Sequence, residues 1–377
     1  MAKKNRKKGK AQKQQKRPVP VKAAPEAQTT EAVRPAEPEK PAAPEVLSAE
    51  KPAEAEAVRP TEPEKPAAQE AQDTVSPEKP EPPEKKRKRR RKKPKEKRVH
   101  ITPFILLGIM VAVIVGCLLN IRYCETNFEV NFYQAESTHV VSDVRLVVIS
   151  DLHLREYGKD NETLVNAVKS LRPDLIISAG DLVTFGESDY DNMLSLCKKL
   201  SEIAPFYGAM GNHEDEKVYL ENNKQLREQF AATGMKLLVN SCEEITVKKN
   251  KIELIGVSGG VDEYEKYGGE ALMESLDDDS SALRICVAHV PTLFKKRLEK
   301  YRFDLGIAGH THGGVVRLPV VGGLYSAEEG FLPEYDGGLY ELDNGATLFV
   351  SRGLGSSGKI PRFNNTPELA VIDIRWY

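Results

Sequence analysis

The first hundred residues of this 377-residue chain contain no Phe, Tyr, Trp or Cys and no apolar run that could make a core. A globular domain there is excluded, because such a segment buries too little apolar surface to offset its ordering entropy. What it does hold is Lys, Glu, Pro and Ala. The stretch Glu31–Ala43, EAVRPAEPEKPAA, returns almost unchanged as Glu56–Ala68, EAVRPTEPEKPAA. Residues 1–98 are therefore expected to form a disordered tail with extended, polyproline-like stretches. Cysteine is scarce everywhere. The five that exist, Cys117, Cys124, Cys197, Cys242 and Cys286, match no zinc or redox spacing. Disulfide pairing stays open for an exported domain, with unpaired small apolar residues as the alternative. Net charge is nearly absent too, at −1, but that average hides a strong segregation.

Two basic blocks bracket the tail. Met1–Arg17 has nine Lys/Arg and no acid, and Lys85–Arg98 has twelve Lys/Arg and one acid. Alone, such blocks would suggest nucleic acid or a nuclear address. The neighbouring segment changes that reading. Residues 101–121, ITPFILLGIMVAVIVGCLLNI, carry no charge over 21 positions, enough for a transmembrane helix. The segment starts too far from Met1 for an ordinary signal peptide. A basic block immediately before the span fits the positive-inside rule, with the N-terminus cytoplasmic and the C-terminal domain extracytoplasmic at the cell membrane. Anionic lipid heads are the expected contact of the block, and nucleic acid is not an expected partner.

Residues 140–377 are long enough for one sizeable α/β domain. The first half alternates strand and helix. VRLVVIS (144–150), DLIISAG (174–180) and PFYGAMG (205–211) read as short buried strands, separated by helices at 161–171 and 191–203. A further helix at 223–234 closes on Gly234. Alternation argues for parallel pairing through crossover helices. The second half reads as a hairpin at 244–259, turned at Asn250-Lys251, and strands at 283–290, 303–310, 346–353 and 368–376. The expected architecture is two facing mixed β-sheets flanked by helices.

Polar residues stand where each apolar strand stops. The first strand gives Asp151 and His153, the second Asp181, the third Asn212 and His213. Later strands give His289, then His310 and His312. Five of the seven histidines occupy such positions. In open α/β sheets the carboxyl ends of strands are where ligands bind. Imidazole and carboxylate groups suit Zn²⁺, Mn²⁺ or Fe. Asp151 and His153, like His310 and His312, are alternate residues, which on extended backbone project to one side. Several such pairs can hold two cations, with Asp181 as the natural bridge.

The blocks DLHL, GDLV, GNHE, VAHV and GHTH, in this order, resemble the calcineurin-like metallophosphoesterases. The closing stretch SRGLGSSGKIPRFNNTPELAVIDI resembles the bacterial membrane-associated branch of YkuE/YaeI-type phosphodiesterases, and the resemblance covers 140–377. It implies two divalent ions, one held by Asp151, His153, Asp181 and His312, the other by Asp181, Asn212, His289 and His310. It implies that His213 donates a proton to the leaving oxygen or steadies the transition-state charge, with Glu214 orienting it. Arg352 is a candidate substrate contact, since a guanidinium fork suits phosphate. The implied function is membrane-anchored phosphodiester hydrolysis on lipid-linked or cell-envelope phosphates. Alternatives are a phosphomonoesterase, or a tethered interaction module recruited through the tail with secondary hydrolysis. The acids at 274–279 and 328–329 argue against the basic groove of a nuclease.

Overall fold

Consecutive side chains of the strand Val144–Ile149 go to different cores. Leu146 and Val148 join one buried cluster, and Val147 and Ile149 join another. A strand buried on both faces belongs to the middle of a layered structure, and the computed structural model of the chain has that form. It describes residues 102–220, 223, 225–358 and 360–377. The tail expected over 1–98 lies outside the described residues.

Twelve strands make two mixed six-stranded sheets. They are β1 (Glu129–Ser137), β2 (Val144–Ile149), β3 (Leu175–Ser178), β4 (Phe206–Ala209), β5 (Lys236–Leu238), β6 (Ser241–Val247), β7 (Asn250–Val257), β8 (Leu283–Ala288), β9 (Leu305–Ala308), β10 (Gly338–Glu341), β11 (Thr347–Val350) and β12 (Glu368–Trp376). The first sheet runs β1-β12-β2-β3-β4-β5 and the second β10-β11-β9-β8-β7-β6. The strands β2 to β5 pair in parallel, as do β7, β8, β9 and β11.

Leu146, Ile177 and Ile372 of one sheet and Leu254, Ile285 and Ile307 of the other share the central core. Helices α2 (Glu162–Leu171), α3 (Asp191–Ser201) and α4 (Gln225–Ala232) cover the outer face of the first sheet through Leu164, Leu196 and Phe230. Met273 of α5 (Gly269–Ser275), with Phe294 and Leu298, covers the second. Both sheets are thus covered outside and packed together inside, as the alternation of elements leads one to expect. The hairpin pairs Val247 with Asn250, so its turn is Lys248-Lys249 rather than Asn250-Lys251. All five cysteines are unpaired.

Helix α1 (Thr102–Thr126) precedes the sheets. Its 25 residues have a mean hydropathy of 2.8 over the most apolar window, and none of that window is buried. At 1.5 Å per residue its length is ~37 Å, enough to cross a bilayer core of ~30 Å. The last turn and a half instead meets the domain. Cys124 is buried, its carbonyl accepts from Arg155 at 3.4 Å, and Asn120 Oδ1 accepts from the Asn364 amide at 2.7 Å.

The sheet begins at Glu129, ahead of the boundary expected at 140. Strand β1 pairs with all nine residues of β12, in parallel. Its sequence, EVNFYQAES, is half-exposed and polar, an edge strand with no apolar run to announce it. Cutting it away bares the apolar edge strand β12, and bare edges pair with other chains. A soluble chain beginning at Val140 is therefore expected to melt at a lower temperature than one beginning at Asn127 and to self-associate, as read by calorimetry and light scattering.

Candidate metal centre

Strands β2, β3, β4, β8 and β9 end at the same rim, so Asp151, Asp181, Asn212, His289 and His310 follow from their ends. The backbone there is not extended. Asp151, His153, Asp181, His310 and His312 all have positive φ, between 49° and 70°. Left-handed backbone at a residue with a Cβ costs about 1–3 kcal/mol and persists only where the surroundings impose it. The reading of Asp151/His153 and His310/His312 as alternate residues of a strand is thus corrected. Turns, not pleats, bring each pair inward. Gly309 is required by close approach, since a Cβ there would collide with Ser150 Oγ and Asp151 Oδ2.

Seven side chains converge. Asp181 Oδ2 lies 3.1 Å from His289 Nε2, 3.7 Å from His153 Nε2 and 3.8 Å from His213 Nε2. Asp151 Oδ1 lies 3.7 Å from His312 Nε2 and 3.8 Å from His289 Nε2. Three overlapping groups, Asp151–His153–His312, His153–Asp181–His213 and Asp181–His289–His310, keep their ligand atoms within 4.8 Å of one another. Both carboxylates are buried.

This set fits cations. Among the described residues, both ring nitrogens of His153, Nε2 of His289 and Oδ1 of Asn212 are buried without a hydrogen bond. Buried polar atoms are normally paired, so a cluster of orphans around two carboxylates points to an ion. Burial holds His153 and His312 down to about 3 and His310 to about 4, which keeps them neutral, the form that ligates. Burial also pushes His289 down, but the Asp181 carboxylate outweighs it and lifts His289 to about 10, while His289 in turn holds Asp181 well below the usual carboxylate range. His289 Nδ1 lies 2.7 Å from the Ala179 carbonyl. A carbonyl only accepts, so Nδ1 carries a proton, and a cation beside Asp181 would displace the Nε2 proton that the carboxylate otherwise holds.

His213 has the opposite tautomer. Its Nδ1 accepts the Phe185 amide at 2.8 Å, so the neutral ring carries its proton on Nε2, facing Asp181. The expectation that Glu214 orients His213 is not met. The buried Glu214 carboxylate accepts the amides of Asp181 and Gly211, both at 2.8 Å, and of Val183 at 2.9 Å, and so ties the ends of β3 and β4 together. Arg352 is also corrected. Its Nη2 pairs with Glu129 and Glu368 beside β1 and β12, two carboxylates that compete with a phosphate for the guanidinium.

A residue given no role by sequence takes a place here. Arg362 is buried, and its guanidinium donates to the carbonyls of His312 (3.1 Å), Arg352 (2.7 Å) and Gly355 (2.6 Å), with Nη2 3.4 Å from His312 Nδ1. No sequence signal marks it, because its partners lie up to fifty positions away.

Residues 144–314 match the family model described as calcineurin-like phosphoesterase. They form a calcineurin-like phosphoesterase domain. The matched stretch contains all seven converging side chains, and β10 to β12 lie beyond it. Among curated relatives, an uncharacterized metallophosphoesterase of Campylobacter jejuni, Cj0846, is 29% identical over 253 residues, 66% of this chain and 63% of that protein. The chain thus spans a little under two thirds of that relative's length. The phosphodiesterase YaeI of Escherichia coli is 26% identical over 61% of this chain and 82% of its own. YkuE of Bacillus subtilis, an uncharacterized metallophosphoesterase, is 28% identical over 63% and 81%.

Within this domain Arg362 is a positioning residue. Arg362→Met is expected to leave several carbonyls unpaired, lower the melting temperature, and weaken Mn²⁺ or Zn²⁺ binding about 10–100-fold, the usual cost of losing a group that orients a ligand. Titration calorimetry on the folded variant checks the second effect. Arg352→Ala is expected to lower the melting temperature with metal affinity unchanged.

Proposed function

We propose that the chain is a membrane-anchored phosphodiesterase working with two divalent cations. Asp151, His153, Asp181 and His312 hold one ion, and Asp181, Asn212, His289 and His310 hold the other, with Asp181 shared. The observation that carries this reading is the ring of orphaned buried imidazole and amide atoms around Asp181. Mixed imidazole and carboxylate donors favour Mn²⁺, Zn²⁺ or Fe over Ca²⁺. When bound, such a pair polarises phosphoryl oxygens and acidifies a water for in-line attack.

The chain's own residues divide the remaining work. Asp181 and Asp151, as the two buried carboxylates, set the spacing of the site. His213 keeps its Nε2 proton facing the centre because the Phe185 amide occupies Nδ1. That N–H donates a hydrogen bond to the charge developing on the departing ester oxygen, with no proton transferred. Glu214 acts at one remove, holding the amides of Asp181 and Gly211.

The name of the Escherichia coli relative supports diester over monoester substrates. The length and hydropathy of α1 support a single membrane span. The basic block Lys85–Arg98 immediately before it supports a cytoplasmic N-terminus and an extracytoplasmic catalytic domain. A tethered domain of this kind suits lipid-linked or cell-envelope phosphodiesters.

The full chain in detergent, stripped by chelator and reloaded with Mn²⁺, Zn²⁺ or Fe²⁺, is expected to cleave bis-p-nitrophenyl phosphate faster than p-nitrophenyl phosphate. Asp181→Asn is expected to lower kcat/KM at least about a hundredfold, beyond the cost of losing a mere orienting group. Monoester preference would overturn the diester reading, and diester cleavage indifferent to metal and to Asp181 would overturn the whole. His213→Ala is expected to cost about 10²–10³-fold with an alkyl leaving group. With p-nitrophenolate, which leaves without a proton, the loss is expected to be smaller. Equal losses with both would remove His213 from the leaving-group side.

A further inference from the structure

Immediately after His312 the chain makes a small hairpin, in which Arg317 pairs with Gly323 and Leu318 with Gly322. Its tip is apolar and exposed. Val320 is fully exposed, Val321 is 56% exposed, and Leu318 is 39% exposed. Isolated exposed apolar residues are ordinary, but a contiguous group on a loop tip marks a contact surface.

The position of this tip identifies the contact. Asn364 bridges two elements, its amide donating to Asn120 Oδ1 of α1 at 2.7 Å and its Nδ2 donating to the Arg317 carbonyl at 3.1 Å. The hairpin base is therefore held beside Asn120. In α1 that residue is where the apolar run gives way to Arg122 and the turns that meet the domain. The level of Asn120 is thus the level of the water–lipid interface. Between the helix end and the loop before β12 lies a cleft of about 470 Å³, lined by Arg122, Glu125, Arg155, Arg362 and exposed Ile360. Three guanidinium groups against one carboxylate, beside an exposed apolar side chain, leave a net positive charge that matches an anionic headgroup region.

We propose that the hairpin Arg317–Gly323 is a second membrane contact, its Leu318–Val321 tip entering the leaflet from which α1 emerges and setting the metal centre against the bilayer surface. This rests on α1 spanning the membrane as proposed above. The base of the hairpin is continuous with the site, because Leu324 donates to the Gly314 carbonyl at 3.2 Å and Gly314 packs against Gly323. The arrangement favours an amphiphilic phosphodiester presented in the membrane plane over one diffusing in water.

The chain's single tryptophan makes the test direct. Trp376 is 72% exposed at the end of β12, beside the start of β2 and so away from the metal centre. The full chain, Val320→Trp and Val321→Trp are reconstituted into phosphatidylglycerol/phosphatidylethanolamine vesicles, with hydrolysis of a soluble diester as the check of folding. Carbonate washing is expected to leave all three in the membrane. Lipids brominated near the headgroup are expected to quench and blue-shifted emission to accompany the new tryptophans, with Trp376 unquenched. A chain that stays in the membrane with both new tryptophans unquenched overturns the hairpin contact and leaves the anchor standing. Blue-shifted emission without quenching means that protein, such as a second copy, covers the tip, and also overturns it. A chain removed by carbonate overturns the anchor and the contact together.

Discussion

The burial of two carboxylates at neighbouring strand ends is the constraint on which the rest of the domain depends. A buried carboxylate is tolerated only where donors or cations surround it. Asp151 receives the Ser150 hydroxyl at 2.6 Å and the His310 amide at 3.0 Å, and Asp181 receives the His213 amide at 2.9 Å beside the His289 ring. Each of these donors comes from a different strand end. Both sheets must therefore stop at the same rim, and the loops must turn inward at once. The left-handed backbone at five ligand-type residues is the local cost of that turn. The central core shared by both sheets is what holds it in place.

Around this centre stand two charged groups of opposite sign that touch no reacting atom. Glu214 gathers three amides at the ends of β3 and β4, and its carboxyl is held above the usual range by burial and by Asp181. Arg362 gathers carbonyls from the loops after β9 and β11, and burial pushes its guanidinium down to about 10. The division follows from hydrogen-bond polarity. An acid collects N–H groups and a guanidinium collects C=O groups, and between them they satisfy the tightly folded loops that carry Asp181 and His312. Arg352, in the same loop, has a different task, fastening the end of β11 to the edge strand β1 and its neighbour β12 through Glu129 and Glu368.

The same rim also faces the end of α1. The Asn120–Asn364–Arg317 connection ties the apolar helix, the loop bearing Arg362 and the hairpin that follows His312 into one assembly. The histidine-bearing loops and the last turns of α1 therefore share an end of the domain, while the ends of β1 and β12, Ser137 and Trp376, lie at the other.

Local signals carried much of this protein. An apolar run that stops at Asp, Asn or His is visible residue by residue, because strand burial and ligand chemistry are both properties of a few adjacent side chains. On that basis the sequence alone determined the central strands and the parallel pairing of the first of them, the apolar helix before them, and the seven side chains that meet. The tertiary structure decided whatever depended on partners far along the chain. Strand β1 is polar and becomes a strand only by pairing with β12, more than two hundred residues later. Glu214 stands beside His213 in sequence yet turns to amides of β3, and Arg352 and Arg362, alike in one short loop, go to a surface ion pair and a buried carbonyl cage. A charged side chain takes whichever partner the packed fold brings within hydrogen-bonding distance, and that distance does not exist until both sheets have come together.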